Sequence, residues 1–234
     1  CELGMESKFD RKSYFYPDLP KGYQISQYDK PFCLKGEFPI IVNGKERNIG
    51  ITRIHLEEDA AKNTHTKDGK ITLVDFNRAG TPLMEIVTEP DLESAEHAVA
   101  FAQELRRILI AANASDADMF KGMMRFDASI SLREKGGTNL NPRSEIKNLN
   151  SFKALEQALI YEEKRLRSLW EKEGEPLKHN ITVGWIDDEG KTRLLRDKEE
   201  AAEYRYFPEP DIPPMRFTRK DIEKFAHDLP PPPR

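Results

Sequence analysis

The chain has 234 residues, long enough to bury a core as one large domain or two small ones. Hydrophobic residues make up 38% and charged residues 33%, and the net charge of −4 excludes a global basic field, so any RNA contact has to be local or shared with a partner. No apolar run approaches the ~20 residues that span a bilayer, and Cys1 and Cys33 are too few for a disulfide framework or a zinc knuckle; a cytoplasmic protein without a membrane is expected. The chain opens on Cys1 rather than Met and closes on Pro230–Pro233 and Arg234, which reads as a piece of a longer protein.

Residues 9–28 combine aromatics with a basic pair, and Pro17 and Pro20 forbid a continuous helix, so an extended segment is expected. Arg11, Lys12 and Lys21 supply cations there, and Tyr14, Tyr16 and Tyr23 supply hydroxyls. The segment is either a surface loop pinned by its rings or a wall for a phosphate or nucleotide. Residues 32–49 spell a hairpin turning at Asn43-Gly44, which reads as scaffold.

Gly50 to Asp91 organises the rest. Written as a strand, its first segment sends Ile54 and Leu56 one way and Arg53, His55, Glu57 and Asp59 the other. After a second turn near 67–70, the run from Pro82 to Thr88 is apolar except for Glu85, an acid that is costly to bury unless a cation or a proton compensates it. Two strands aiming Glu57 and Glu85 into one space suit Mg²⁺, which takes a couple of carboxylates and fills its remaining positions with water and substrate phosphates. His55 is a further ligand or a supporting residue, and Glu58, Asp59, Asp75 and Asp127 are alternatives. Faces rich in acids and bases are more often solvated ion-pair arrays, so spacing alone leaves both readings open.

Further on, Ser94 caps a predicted helix running to about Ala112, with Val99, Ala102, Leu105, Ile108, Leu109 and Ala112 as its core stripe and His97 toward solvent. Met123 to Arg133 alternates regularly, which predicts an antiparallel strand with Arg125 and Asp127 on its polar face. A short strand, Arg143 to Leu149, places Glu145 and Lys147 together, and Asn-Leu-Asn-Ser then caps a long helix from Phe152 to about Lys172. Two strands flank a turn at Asp187–Gly190, and Tyr204 to Asp211 again couples an Arg to aromatics and prolines. The last twenty residues read as the exit from a domain, with a short helix at 218–227. No P-loop, G-x-G-x-x-G, H-E-x-x-H or nucleophile elbow is present.

Five motifs carry a resemblance: F-D-R-K-S-Y-F-Y-P-D-L-P-K-G-Y-Q at 9–24, I-G-I-T-R-I-H-L-E-E-D-A at 49–60, L-V-D-F-N-R-A-G-T-P-L-M-E-I-V-T-E-P-D at 73–91, E-I-K-N-L-N-S-F at 145–152 and Y-R-Y-F-P-E-P-D at 204–211. Together they resemble the B-subunit family of bacterial aspartyl/glutamyl-tRNA(Asn/Gln) amidotransferases. The resemblance implies an α+β fold, mainly an antiparallel sheet backed by helices and similar to the catalytic architecture of glutamine synthetase. It implies ATP and Mg²⁺ as cofactors, and phosphorylation of the side-chain carboxylate of Glu or Asp misacylated on tRNA(Gln) or tRNA(Asn). Ammonia would then arrive through a tunnel from the amidase partner, the A component, and a small C component would make the complex a heterotrimer. Residue by residue it implies Glu57 and Glu85 at the metal, beside the His55 of the strand reading, and Arg11, Lys12 and Lys147 toward phosphate, with Asn148, Asn150 and Ser151 in the active-site cavity. From the residues themselves Arg53 and Arg125 are further cations for phosphate, and Tyr14 and Lys21 belong to the nucleotide wall of residues 9–28. Residues 1–214 would form the core of the catalytic domain and 215–234 the start of a connection to a helical domain.

The chain departs from the family pattern where M-M-R-F-D-A-S replaces S-L-R-C-D-A-N, giving Phe126 and Ser129, and at His179–Val183. It also lacks the family's upstream Gly-Leu-Glu-Ile-His segment, which implies an incomplete metal shell. A non-catalytic scaffold within the same complex and another carboxylate-activating ligase on the same fold are the competing expectations.

Overall fold

Asn43 and Gly44 both take positive φ, 52° and 73°, the geometry that lets a two-residue turn follow the twist of its flanking strands. The hairpin they close is one part of an α+β architecture seen in a computed structural model, which describes residues 1–66, 68–196 and 204–231. In chain order the strands up to the first helix are β1 (Glu2–Leu3), β2 (Glu6–Ser7), β3 (Asp10–Ser13), β4 (Tyr23–Ser26), β5 (Cys33–Val42), β6 (Lys45–Glu58), β7 (Lys62–His65), β8 (Thr72–Asp75) and β9 (Pro82–Thr88). Then come α1 (Ala95–Ala111), β10 (Phe126–Ile130), β11 (Ser144–Leu149), α2 (Phe152–Glu173), β12 (Ile181–Ile186), β13 (Lys191–Arg196), β14 (Phe207–Pro208), β15 (Met215–Arg216) and α3 (Arg219–Asp228). Lys67 in the second turn and the end of the polyproline run lie outside the described residues.

The chain divides into two compact units. The first takes Cys1–Pro39, Asn48–Asp91 and, of the later chain, residues 204–229; the second takes Ile40–Arg47 and residues 92–196, with 230–231. In the first unit, β3 pairs antiparallel with β4 and with β14, and β15 pairs with β2, so Met215–Arg216 are tied back to Glu6–Ser7. The four-stranded sheet β1-β5-β6-β9 supplies the long strand β6 and its antiparallel neighbour β9. The segment expected to be extended is β3 and β4 with Pro17 and Pro20 in the turns between them, closed by Leu19 N to Tyr16 O and Gly22 N to Leu19 O, and no helix forms there.

The second unit sets the sheet β10-β11-β12-β13 beside α1 and α2. Within it β11 and β12 run parallel, with α2 as the crossover, while the other pairs are antiparallel. Ile146, Leu149, Val183 and Trp185 from the strands meet Ala98, Ala102, Leu155, Ala158 and Leu159 from the helices in one buried cluster. Both helices start as their caps dictate: Ser94 accepts from His97 N and Ser151 from Ala154 N, and Gly174, at φ 76°, ends α2 in the left-handed region.

Three expectations change. The strand expected from Met123 to Arg133 is only Phe126–Ile130, because Met123 N is spent on Asp118 O in a turn and the pairing with β11 bulges between Phe126 and Ala128. His97 is buried, not solvent-facing, and its Nδ1 takes the Glu93 N–H at 3.4 Å. The fully buried face of α1 is His97, Ala98, Phe101 and Ala102, offset from the expected stripe, whose later members are half-buried. Phe126 packs on Phe152 with ring centroids 5.8 Å apart, in keeping with a packing role.

α3 begins with a reciprocal box: Thr218 Oγ1 accepts from Asp221 N, and Asp221 Oδ2 accepts from Thr218 N at 2.8 Å. Thr218→Ala is expected to cost about 1 kcal/mol and to speed amide exchange at residues 219–222; unchanged exchange there would show that the box contributes nothing.

Candidate functional site

Antiparallel pairing of β6 with β9 puts His55 directly opposite Glu85 and Glu57 opposite Leu83. Directly opposed residues share a face, and so do residues two apart, so His55, Glu57 and Glu85 project from the same side. One ligand atom from each lies within 4.8 Å of the others. The three differ in depth. His55 is 4% exposed, the Glu57 side chain 9%, and Glu85 is open to solvent, so the strand's lone acid is spared the burial cost expected of it.

Glu57 Oε2 lies 3.3 Å from His55 Nε2 and accepts from Ser26 Oγ at 3.1 Å. Burial pushes the Glu57 carboxyl up, but His55, the Lys12 charge and Ser26 together outweigh it and hold the group below the usual carboxylate range. His55 Nδ1 is buried with no hydrogen-bond partner among the described residues. A buried ring nitrogen left unmatched is uncommon and unfavourable by about 1–3 kcal/mol. Two carboxylates, one buried and one open, with an imidazole beside them fit a hard divalent cation that keeps positions for other oxygens.

Around this cluster the first unit gathers cations and rings. Lys12 Nζ lies 4.5 Å from the Tyr204 ring centre and 5.8 Å from that of Tyr14. Arg53, on the same strand face, has its Nε buried without a partner among the described residues. Burial and the neighbouring Tyr204 push the Tyr206 hydroxyl up to about 12, Arg53 pulling the other way and Glu57 adding to the rise. Tyr14 is likewise raised, by burial and then by Asp18 and Glu57. Tyr206 also stacks on Tyr28, with centroids 4.3 Å apart.

The other expected residues are distributed differently. Arg11 is committed: its Nε donates to Glu209 Oε2 at 2.6 Å and its Nη2 to Glu209 Oε1 at 3.1 Å, over the Tyr23 ring. Glu209, with a side chain 2% exposed, thereby locks the 204–211 segment onto β3. Lys21 pairs with Glu58, whose Oε1 also accepts from Ile25 N at 2.9 Å. Asp59 faces Arg78 at 3.7 Å and Asp75 accepts from Asn77 N, so Glu58, Asp59 and Asp75 stand outside the cluster.

Arg125, Lys147, Asn148, Asn150 and Ser151 belong to the second unit. Lys147 reaches Asp127 at 3.0 Å and Glu145 at 3.4 Å; burial pulls its pKa down, and the two acids more than restore it, leaving the charge raised. Asn148 takes positive φ, 69°, and a Cβ on Gly184 would sit 3.0 Å from its Nδ2, so the glycine makes room for that amide. Asn148 and Asn150 are exposed, and Ser151 is occupied as the cap of α2. Ser26, Gln24, Gln27, Tyr204 and Tyr206 were not singled out from the sequence. Their signal was the polar residues of Gln24–Gln27 in a strand, and a ring pair flanking Arg205.

Fold and site together define an α+β protein with a carboxylate–imidazole cluster on an antiparallel strand pair. The GatB/GatE catalytic domain family matches residues 1–223, and the chain belongs to that family. It is 48% identical over 234 residues to the B subunit of the aspartyl/glutamyl-tRNA(Asn/Gln) amidotransferase of Anaeromyxobacter sp. (strain Fw109-5), covering all of this chain and 48% of that protein. The same protein of Symbiobacterium thermophilum is 49% identical over 235 residues, and that of Thermomicrobium roseum 50% over 232, each covering 98% of this chain and 48% of the relative. The chain spans about half the length of the curated relatives it matches. Among the described residues, no helix is long and apolar enough to cross a membrane.

Proposed function

We propose that the chain is the core of the kinase part of a tRNA-dependent amidotransferase, within its B subunit, with a glutamine synthetase-like catalytic architecture over residues 1–214 and a connection to a further domain from 215. The observation that carries the reading is the His55–Glu57–Glu85 cluster in a chain of this family. These three residues would hold Mg²⁺, which when bound supplies Lewis-acid polarisation of phosphate oxygens. A carboxylate is a poor acyl electrophile. Its oxygen attacks the γ-phosphorus of ATP, ADP leaves, and the acyl phosphate is then opened by ammonia, which bonds to the acyl carbon as inorganic phosphate departs. The carboxylate is that of Glu, or Asp, misacylated on tRNA(Gln), or tRNA(Asn). The ammonia comes from the amidase partner, the A component, with a small C component in the complex, in the cytoplasm.

Lys12 and Arg53 lie where they neutralise charge that develops on the transferring phosphoryl group. Tyr14, Tyr204 and Tyr206 crowd the same space with rings and exclude water, which would otherwise hydrolyse the acyl phosphate. Arg11 acts through Glu209 on that wall, and Lys147, Arg125, Lys21, Asn148, Asn150 and Ser151 remain proposed contributors to the nucleotide cavity. The test is phosphate release by the full-length protein with its partners, ATP, Mg²⁺ and Glu-tRNA(Gln). Release that depends on the mischarged tRNA and on Lys12 is expected; release unaffected by Lys12→Met would overturn the role of that cation, and no release at all would overturn the reaction.

A further inference from the structure

Antiparallel pairing uses the backbone groups of alternate residues, so those of His55 and Glu57 that face β9 leave Leu56 and Glu58 facing the other way. On that far side the described residues place side chains in the role of a strand. Leu56 N donates to Gln27 Oε1 at 3.0 Å, and Gln24 Nε2 donates to Glu58 O at 2.8 Å. Both glutamines are buried, so water does not serve this edge.

Gln27 is the more deeply committed of the two. It is 3% exposed, and the same Oε1 also accepts from Phe32 N at 2.9 Å. Its Nε2 donates to Ser7 Oγ at 2.6 Å, and Ser7, itself buried, donates on to Lys30 O at 3.3 Å. Every group in this chain has one assigned direction, so the amide cannot turn over without breaking contacts. Its far end grips the one backbone N–H that lies between His55 and Glu57.

We infer that Gln27 is a positioning residue for the cation site, fixing the twist of β6 at Leu56 so that the His55 and Glu57 side chains converge. The inference rests on the reading of His55, Glu57 and Glu85 as cation ligands. Ligands two residues apart depend on the backbone between them, and a site holds its geometry only when the supporting groups are locked. Polar partners that orient ligands in this way are worth about 10–100-fold in metal affinity.

The test measures Mn²⁺ binding to the full-length protein by electron paramagnetic resonance, alongside circular dichroism to establish folding. Gln27→Met keeps the volume and removes both acceptor and donor; it is expected to weaken Mn²⁺ by about tenfold, whereas Thr218→Ala, a cap change on α3, leaves it unchanged. Unaltered Mn²⁺ affinity in folded Gln27→Met would overturn the role of Gln27 and leave the cation site standing. Should Gln27→Met not fold, Ser7→Ala decides, since it frees only the far end of the amide: weaker Mn²⁺ supports the inference and equal affinity overturns it. Binding that is equal in wild type and His55→Ala, or absent from both, removes the cation reading itself, and the inference with it.

Discussion

Glu57→Gln in the full-length protein is expected to lower tRNA-dependent amidation by roughly a thousandfold, the several kcal/mol of charge stabilisation that a held cation supplies. The substitution conserves volume but replaces a carboxylate that the fold holds ionised, so a small drop in thermal midpoint is expected beside the far larger loss of activity. That split separates a ligand from a scaffold residue. Glu57 is buried beside His55 and accepts from Ser26, so nothing else takes its place at the back of the cluster. Glu85 stands at the open side, where water replaces a lost carboxylate oxygen, and Glu85→Gln should therefore cost less than Glu57→Gln. Glutaminase activity of the partner amidase should persist in both. Full amidation by Glu57→Gln would remove Glu57 from the metal assignment.

Arg165→Met is expected to destabilise the second unit by about 3 kcal/mol at neutral pH, because it strands a buried charge. Glu162 on α2 is 0% exposed and gathers three elements. Ser144 Oγ on β11 donates to it at 2.6 Å, Thr192 Oγ1 on β13 at 2.8 Å, and Arg165 on its own helix through Nε at 2.9 Å. Burial pushes the Glu162 carboxyl up, and Arg165, Ser144 and Thr192 together hold it below the usual carboxylate range. Its folded pKa is thus depressed, so in the wild type it contributes stability above the unfolded value of about 4.3. That contribution is lost as pH falls through the lower folded value. Without Arg165 the burial effect dominates and the folded pKa rises above the unfolded one. Acidification from pH 7 toward pH 5 should then recover stability in Arg165→Met, while the Glu162 contribution in the wild type stays constant over that range and falls only below about 4.3. Urea unfolding at pH 7 and pH 5 reads the difference; the same change in both proteins would show that Glu162 carries no buried charge.

Legibility in the sequence followed the range of the interactions. Asn43-Gly44, Ser94, Ser151 and Gly174 act on their own neighbours through φ or a single cap, and each stands where local chemistry put it. Strand alternation placed His55 and Glu57 on one face, and the structure brings Glu85 to them. The family motifs ran along the chain and named the same three residues. Alternation misled at Met123–Arg133, where a turn held by Asp118 competes with the ladder, and position at a helix start misled at His97, whose imidazole is buried with its Nδ1 on the Glu93 N–H.

What the sequence by itself determined was the caps and turns, the two long helices and the strand face carrying the acids, since all of these depend on residues a few positions apart, whereas the α+β class came with the family motifs. Only the tertiary structure decided which charges were already spoken for. Arg11 is bound by Glu209, 198 positions away, Lys21 by Glu58, and Leu56 N by Gln27. An ion pair or a strand edge is satisfied by whatever group the fold delivers to it, and sequence spacing carries no record of that delivery. For the same reason nothing in the spacing of α2 marks Glu162, which the fold buries against β11 and β13 with Ser144 and Thr192 donating to it.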